Sequence, residues 1–166
     1  MAYLLDANVF IEAKQRHYGM DFCPAFWRWL ERENAAERVF SIEKVGDELA
    51  AGGDELARWA RARGNALFLR PDEPLLKSLA AVAEWVSAQS YRPAAVSAFL
   101  QDADYYLVAH AQAHGHTVIT HEVASDGVRQ VKIPNACIGV QVKFMTPFEM
   151  LRIERARFVL PEGGAA

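Results

Sequence analysis

YLLDANVFIE, residues 3–12, places a carboxylate between a short apolar strand and an amphipathic helix. The first three of these residues have the apolar and aromatic character of a buried strand. Asn8 is suited to cap the first turn of a helix over residues 8–17. Asp6 stands where the strand ends, and open parallel sheets bind their ligands outside the carboxyl ends of the strands. The stretch therefore predicts an α/β fold with a functional carboxylate at one sheet edge.

The rest of the chain repeats this alternation of strand and helix. The strand candidates are short and apolar and lack the period-two pattern of a half-exposed strand, which is typical of a parallel sheet covered on both faces. We predict a three-layer α/β/α fold with a central parallel sheet of four to five strands. We also predict a single domain over residues 1–158 and a flexible tail over 159–166. The predicted strands cover residues 3–6, 39–42, 66–69, 117–120 and 142–145.

The composition narrows the classes of protein that fit. Of 166 residues, 52% are hydrophobic and 23% charged, which is a globular profile. No apolar run reaches the roughly 20 residues of a membrane helix, and the start does not resemble a secretion signal. Cys23 and Cys137 fit neither a disulfide framework nor a metal knuckle, so we expect reduced thiols and a cytoplasmic protein. The net charge of −3 argues against a nucleic-acid coat protein but leaves room for a local basic groove.

Four acidic residues fall near the expected carboxyl edge of the sheet. Asp6 leaves the first strand, and Glu122 follows the fourth. Asp104 lies in the first turn of the helix before that fourth strand, and Glu48 lies on the helix after the second strand. If the first and fourth strands are neighbours, these acids converge on one pocket. Clustered carboxylates raise one another's pKa unless a cation neutralises them, and hard oxygen ligands suit one or two Mg²⁺ or Mn²⁺ ions.

The same acids also fit roles in the fold that need no metal. Aspartate and glutamate near helix N-termini commonly serve as caps or interact with the helix dipole. Asp102 is expected to be such a cap, because it lies about 200° around the helix from Asp104. A zinc site on His110, His114 and His116 is the weaker alternative, since no acid or cysteine completes it. The chain also lacks the phosphate loop, dinucleotide fingerprint and serine elbow of other enzyme classes.

Four stretches together resemble a subfamily of the PIN-domain ribonucleases, in the same order along the chain. They are YLLDANVFIEA, VGDELAAGGDELARWA, DADYYLVAHAQAHGHTVITHE and KIPNACIGVQVKFMTPFEMLR. The resemblance implies a PIN-like fold and a Mg²⁺- or Mn²⁺-dependent endoribonuclease that hydrolyses RNA phosphodiester bonds. It also implies the toxin of a VapBC-like type II toxin–antitoxin pair, with a protein antitoxin as partner and a homodimer as a family-level expectation.

The resemblance also assigns roles to individual residues. Asp6, Glu48, Asp104 and Glu122 match the catalytic and metal-binding acids, while Asn8 and Thr120 match polar positions that orient them. Glu122 stands where many members have aspartate, and Ala7 stands where threonine or serine is common. The helical acid is expected to be Glu48, with Glu43 and Asp47 close enough in sequence to compete for that role.

Two further groups of residues bear on RNA binding and association. Arg58 and Arg61 flank Trp59 and are weak candidates for contacts with RNA phosphates. The aromatic residues Phe26, Trp27 and Trp29 are expected to pack in the core, with a dimer surface or antitoxin groove as the alternative. A catalytically silent PIN-like module that binds RNA or protein is the rival function, and a 5′-flap DNA nuclease is a third possibility that the short chain disfavours.

Overall fold

The centre of the protein is a five-stranded sheet in which every pair of neighbours is parallel. This arrangement is seen in a computed structural model that describes residues 1–162. The strand order is β3-β2-β1-β4-β5, so the order reverses at β1, where β4 is added on its free side. The strands are β1 (Tyr3–Leu5), β2 (Val39–Ile42), β3 (Phe68–Leu69), β4 (Thr117–Ile119) and β5 (Phe144–Met145).

Helices cover the sheet and complete a three-layer α/β/α fold, which confirms the predicted fold class. A π-helical segment, Ala13–His17, extends the first of them, and a short 3₁₀ turn, Gly64–Ala66, precedes β3. Within residues 1–162 the α-helices are α1 (Ala7–Glu12), α2 (Pro24–Ala35), α3 (Glu43–Ala50), α4 (Glu55–Arg63), α5 (Glu73–Ser87), α6 (Pro93–Gln101), α7 (Ala103–His114), α8 (Ile133–Gly139) and α9 (Pro147–Ile153).

The pairing of β1 with β4 fixes the position of the sheet edge. Leu5 is paired with Ile119, and the backbone N–H of Asp6 donates to the carbonyl of Ile119 at 3.0 Å. The residues that follow the two strands, Asp6 and Thr120, therefore lie side by side. The prediction that the first and fourth strands are neighbours is confirmed.

Several helix ends follow directly from the local sequence. The side chains of Asp54 and Asp72 accept from backbone N–H groups in the first turns of α4 and α5, at 2.9 and 3.3 Å. Thr146 and Glu149 form a reciprocal capping box at the start of α9. Helix α7 ends at Gly115, whose φ of +68° lies in the left-handed region.

Three local predictions were wrong. Asn8 does not cap the first helix, because α1 already begins at Ala7 and Asp6 is the residue before it. Helix α8 was not predicted, since its seven residues lie between segments that resemble loop and strand. Strands β3 and β5 each contain only two residues, because a 3₁₀ turn and a backbone turn occupy the positions before them.

The aromatic residues of α2 belong to the hydrophobic core, as predicted. Phe26, Trp27 and Trp29 are all buried, so none of them offers a free dimer surface. Trp59 of α4 packs edge-on against Trp27, with 5.0 Å between ring centroids, and its indole N–H donates to Glu31 at 3.0 Å. The core therefore extends from the sheet through α2 to α4.

The predicted tail over residues 159–166 is described only in part. Residues 159–162 are exposed and contain neither helix nor strand, while residues 163–166 lie outside the described residues. In the part of the chain that the structure describes, no helix combines the length and the apolar character needed to cross a membrane.

Gly139 permits a close approach between helices, and its replacement tests that packing. A Cβ atom at Gly139 would overlap the indole ring of Trp85, whereas one at Gly53 would meet no atom within 4 Å. We expect Gly139→Ala to lower the free energy of unfolding by about 2 kcal/mol through overpacking, despite the better helix propensity of alanine. Urea unfolding measures this loss, and Gly53→Ala is the matched control. Equal stability of the two variants would contradict the close packing of α8 on Trp85.

Candidate active site at the carboxyl edge of the sheet

Asp6 is the centre of the candidate site and is held by a hydrogen-bonded chain from β4. The hydroxyl of Thr120 donates to Oδ2 of Asp6 at 3.1 Å. The same hydroxyl oxygen accepts from the backbone N–H of Glu122 at 3.1 Å. Asp6 is only 3% exposed, so these bonds fix a nearly dry carboxylate against the loop that follows β4.

Burial and neighbouring charges perturb the acid–base chemistry of two of these residues. Burial raises the pKa of Asp6 to about 7; the bond from Thr120 opposes this rise, and the charges of Glu122 and Glu48 add to it. Burial likewise raises the pKa of Asp104 to about 8, with further contributions from Asp6, Asp102, Glu122 and Glu48. The charges of all the other acids in the group therefore act on Asp104, although no three acids of the described residues already meet in the geometry of a metal site.

Glu48 and Asp102 form the outer wall of this region. Burial raises the pKa of Glu48, and the charge of Asp102 raises it further. Both side chains line a cleft of about 370 Å³ between α3 and the start of α7. Lys44 lines the same cleft, with its ammonium 4.3 Å from the centroid of the Tyr106 ring. The cleft therefore borders Glu48 and Asp102, whereas Asp6, Asp104 and Glu122 do not line it.

Asp102 is a candidate site residue that sequence reasoning assigned only to helix capping. Its backbone is extended, at φ −91° and ψ 157°, because it precedes α7 instead of lying within it. The 200° separation from Asp104 assumes helical geometry for both residues and does not apply. Asp102 is the N-cap residue by position, yet its side chain makes no capping hydrogen bond, so its carboxylate is available to the cleft. A capping position without a capping bond is visible only in the structure.

One of the two carboxylate oxygens of Glu122 already accepts a hydrogen bond within the protein. Its Oε2 accepts from the backbone N–H of Ile133, the first residue of α8, at 2.6 Å. Burial, with a contribution from Glu122, raises the pKa of the Cys137 thiol on the same helix to about 12. Glu122 therefore joins the acidic group electrostatically and also anchors the start of α8.

The competing helical acids can be separated by their contacts. Glu43 pairs with Arg70 at 3.5 Å. Asp47 lines the same cleft as Glu48, but it does not contribute to the raised pKa of Asp6 or Asp104, whereas Glu48 contributes to both. The structure therefore favours Glu48 as the helical acid.

The remaining predicted polar residues divide into those that reach the acids and those that do not. Thr120 contacts Asp6 as predicted. Asn8 is exposed and makes no side-chain hydrogen bond to the acids within residues 1–162. Neither Arg58 nor Arg61 lines the cleft; Arg61 instead donates to the backbone carbonyl of Ala50 at 2.5 Å.

The histidines on α7 do not form a metal centre in the described part of the chain. His114 pairs with Asp72 at 2.7 Å, and Nδ1 of His116 accepts from the backbone N–H of Ala2 at 3.1 Å. His110 is buried, which lowers its pKa to about 4 and keeps it neutral. These contacts account for His114 and His116 as parts of the fold, whereas the buried Nδ1 of His110 has no hydrogen-bond partner among the described residues.

Replacement of the candidate helical acids tests the assignment of Glu48. If the protein has the metal-dependent RNA cleavage that its resemblance to PIN-domain ribonucleases implies, we expect Glu48→Gln to lower that activity by about 10- to 100-fold, because it removes one charge from the cleft wall. Glu43→Gln makes the same chemical change at an acid that already pairs with an arginine, and it should stay within about twofold of the parent. Single-turnover cleavage of a labelled RNA compares them. Equal losses would show that the assignment of Glu48 is wrong.

The fold and the site define an α/β/α protein in which the buried carboxylate of Asp6 lies where the strand order reverses. The chain belongs to the family described as Domain of unknown function (DUF4411), whose family model matches residues 3–158. No curated protein and no solved structure matches the chain.

Proposed function

We propose that this protein is a metal-dependent endoribonuclease that hydrolyses RNA phosphodiester bonds. The observation that carries the proposal is the convergence of Asp6, Glu48, Asp104 and Glu122 at the edge where β1 and β4 lie side by side. No ion pair joins any of these four acids to a basic side chain within residues 1–162. Asp6 is buried, and a buried carboxylate that lacks a counter-charge and has other acids around it is costly unless a cation binds there.

The chemistry of the donor set fits Mg²⁺ or Mn²⁺. Every candidate ligand is a carboxylate oxygen, and hard divalent cations prefer such ligands. The raised pKa values of Asp6 and Asp104 support an unmet demand for positive charge. Among the described residues no three acids already meet in the geometry of a metal site, so binding requires side-chain rotation. Glu48 and Asp102 are exposed and have room for that rotation.

The candidate residues would have different roles in binding the metal ion and the RNA. A bound divalent ion would stabilise the negative charge that develops on the phosphodiester oxygens. Thr120 would hold Oδ2 of Asp6 in one orientation and, by donating to it, would favour the ionised form against the effect of burial. Asp104, Glu48 and Glu122 would complete the ligand set, and Lys44 on the cleft wall would attract the phosphate backbone.

The resemblance to PIN-domain ribonucleases supports a finer proposal. We place the protein among VapC-like toxins, with a protein antitoxin as its inhibitor and a homodimer as its assembly. Both cysteines are free thiols, which supports action on cytoplasmic RNA. A neighbouring gene for a small DNA-binding protein, and co-purification of its product with this chain, would test the toxin assignment.

RNA cleavage with defined metals tests the nuclease assignment. The purified protein is treated with chelator, supplied with Mg²⁺ or Mn²⁺, and incubated with RNA, with Asp6→Asn as the control. Cleavage that requires the added metal and is lost in Asp6→Asn supports the proposal. Cleavage that persists in the variant indicates a contaminating nuclease, and its absence with either metal contradicts the assignment.

A specific contact favours a second candidate, a silent module that binds RNA or protein. One oxygen of Glu122 is committed to the backbone of Ile133, which leaves this acid less free to bind a cation than an unpaired carboxylate. Calorimetric titration with Mn²⁺ separates the two functions. Binding that Asp6→Asn removes supports the nuclease, whereas the absence of binding supports the silent module.

A further inference from the structure

We propose that a basic aromatic groove beside the acidic site binds single-stranded nucleic acid and leads it to that site. The proposal deepens the nuclease assignment and rests on it for the direction of the strand. The basic aromatic groove is defined by Tyr18, Phe148, Arg152, Arg155, Arg157 and Phe158, and its volume is about 450 Å³. It lies on α9 and the segment after it, facing the end of the π-helical segment.

The arginines of the groove have charge available for a ligand. Arg152, Arg155 and Arg157 are exposed, and none of them pairs with a carboxylate within residues 1–162. Several arginines elsewhere in the described chain are paired, as in the contact of Arg38 with Glu33. Three guanidinium groups that line one groove, without a carboxylate partner among the described residues, can bind the phosphates of a nucleic-acid backbone.

The aromatic walls of the groove are fixed by packing. Tyr18 stacks on Phe26 with ring centroids 4.5 Å apart and planes inclined by 17°. Phe158 packs edge-on against Tyr18 at 5.4 Å. Burial raises the pKa of Tyr18, and the charge of Arg152 opposes that rise, which places the guanidinium near the ring. Rigid rings beside cations are the combination with which proteins stack and hold unpaired bases.

A chain of rings runs from the groove to His121, the residue that follows Thr120 in sequence. Phe148 lies 5.2 Å from the His17 ring and 5.7 Å from the His121 ring, measured between centroids. The two histidine rings are 5.7 Å apart. His121 directly follows Thr120, the residue that donates to Asp6. A strand seated in the groove would therefore pass Phe148 and the histidine pair before its phosphodiester reaches the acids.

The groove fits a single strand better than an acidic protein segment or a duplex. An acidic segment would use the arginines but would leave the row of rings without a partner. A duplex offers phosphates but keeps its bases paired and unable to stack on Phe148. Single strands of RNA and of DNA both offer phosphates for the arginines and unpaired bases for the rings. Binding measurements with each kind of strand show which of the two the groove prefers.

Fluorescence anisotropy with labelled 12-nucleotide RNA and DNA strands tests the groove without depending on cleavage. All measurements are made on the full chain in chelator. The groove variant is Arg152→Gln/Arg157→Gln, and the control is Lys77→Gln/Lys143→Gln, which removes the same charge at two exposed lysines outside the groove. We expect the groove variant to bind RNA about tenfold more weakly at 50 mM salt and to lower the salt-dependence slope by about 1.4. The control should change affinity by less than about twofold.

Further strands identify the ligand. Phe148→Leu should weaken single-strand binding about fivefold through lost stacking, and a duplex of the same sequence should bind more weakly than either strand. The strand that binds more tightly, RNA or DNA, identifies the physiological ligand. The proposal is overturned if the parent protein does not bind single strands, if both double variants bind alike, or if poly-glutamate of equal charge competes as well as RNA. If the parent cleaves RNA with added metal and the groove variant binds RNA as well as the parent does, the groove proposal is wrong and the nuclease assignment is supported. If the groove variant binds RNA more weakly but the parent does not cleave RNA with added metal, the groove proposal is supported and the nuclease assignment is wrong.

Discussion

Replacement of Asp104 by asparagine is expected to lower metal-dependent RNA cleavage by about 10³-fold, equivalent to roughly 4 kcal/mol of transition-state stabilisation. Burial raises the pKa of Asp104, and the charges of all the other acids, Asp6, Asp102, Glu122 and Glu48, raise it further. Asparagine keeps the size of the side chain and its place in the first turn of α7, but it cannot supply an anionic ligand. The loss should therefore appear in catalysis and not in folding.

The measurement is kcat/KM on a labelled single-stranded RNA with saturating Mn²⁺. Asp21→Asn is the matched control, since it makes the same change at an exposed residue outside the site. Asp102→Asn should fall between the two, with a loss of about tenfold, because its carboxylate borders the cleft without being buried. Full activity in Asp104→Asn would remove this acid from the mechanism, and a loss accompanied by unfolding in circular dichroism would assign it a structural role instead.

The arrangement of the acids could be predicted because it depends on local pattern and sheet direction. YLLD identifies a strand with a carboxylate at its end, and TVIT identifies a second strand. In a parallel sheet both carboxyl ends lie at one edge, so the proximity of Asp6 and Thr120 follows once the two strands are neighbours. The observed strand order and the bond from Thr120 to Asp6 agree with that reasoning.

The details that sequence reasoning missed depend on dihedral angles and side-chain competition. Asp102 was separated from Asp104 by a helical angle that its extended backbone does not obey. Asn8 was expected to cap the first helix, yet the helix begins directly after Asp6. Glu122 was expected to serve only the site, but the unpredicted helix α8 supplies a backbone N–H that competes for its carboxylate. Each difference arises from a contact that spacing alone does not encode.

The basic aromatic groove could not be read from the sequence at all. Tyr18 and Phe158 are 140 positions apart in sequence, and they meet only because the chain after α9 passes the end of the π-helical segment. The expected RNA-binding candidates, Arg58 and Arg61, were chosen because they flank an aromatic residue in sequence. That ring is Trp59, which packs edge-on against Trp27 and donates to Glu31, so it is not presented for stacking, while RNA contacts by Arg58 and Arg61 stay a prediction.

Asp6→Asn is expected to stabilise the protein in chelator at high pH and to destabilise it relative to the parent in Mn²⁺. The pKa of Asp6 is raised from 3.8 to about 7, mainly by burial. Between these values the folded state binds more protons than the unfolded state, so stability falls as the pH rises. At pH 6 most Asp6 side chains are still protonated and resemble asparagine, whereas at pH 8.5 a charge is buried. The raised pKa of Asp104 acts in the same direction.

The expected size of this effect follows from the pKa. The parent should lose about 1–2 kcal/mol relative to Asp6→Asn between pH 6 and pH 8.5, which corresponds to roughly 3–6 °C in Tm for a domain of this size. Thermal unfolding at both pH values in chelator measures the difference. Asp21→Asn, an exposed aspartate with the same change, should follow the parent at both. The buried histidines do not imitate the effect, because the lowered pKa of His110 places its contribution below pH 6.5.

Addition of Mn²⁺ turns the stability measurement into a test of the site. A cation that binds only the folded parent stabilises it by mass action, and the gain grows with pH as the acids ionise. We expect saturating Mn²⁺ at pH 8.5 to raise the Tm of the parent above that of Asp6→Asn, so that the order of the two proteins reverses. If the variant and the parent gained equally, the ion would be binding elsewhere. If neither gained, while the pH-dependent difference in chelator persisted, the acids would be a buried cluster that holds no metal, and the silent module would be the better account of this fold.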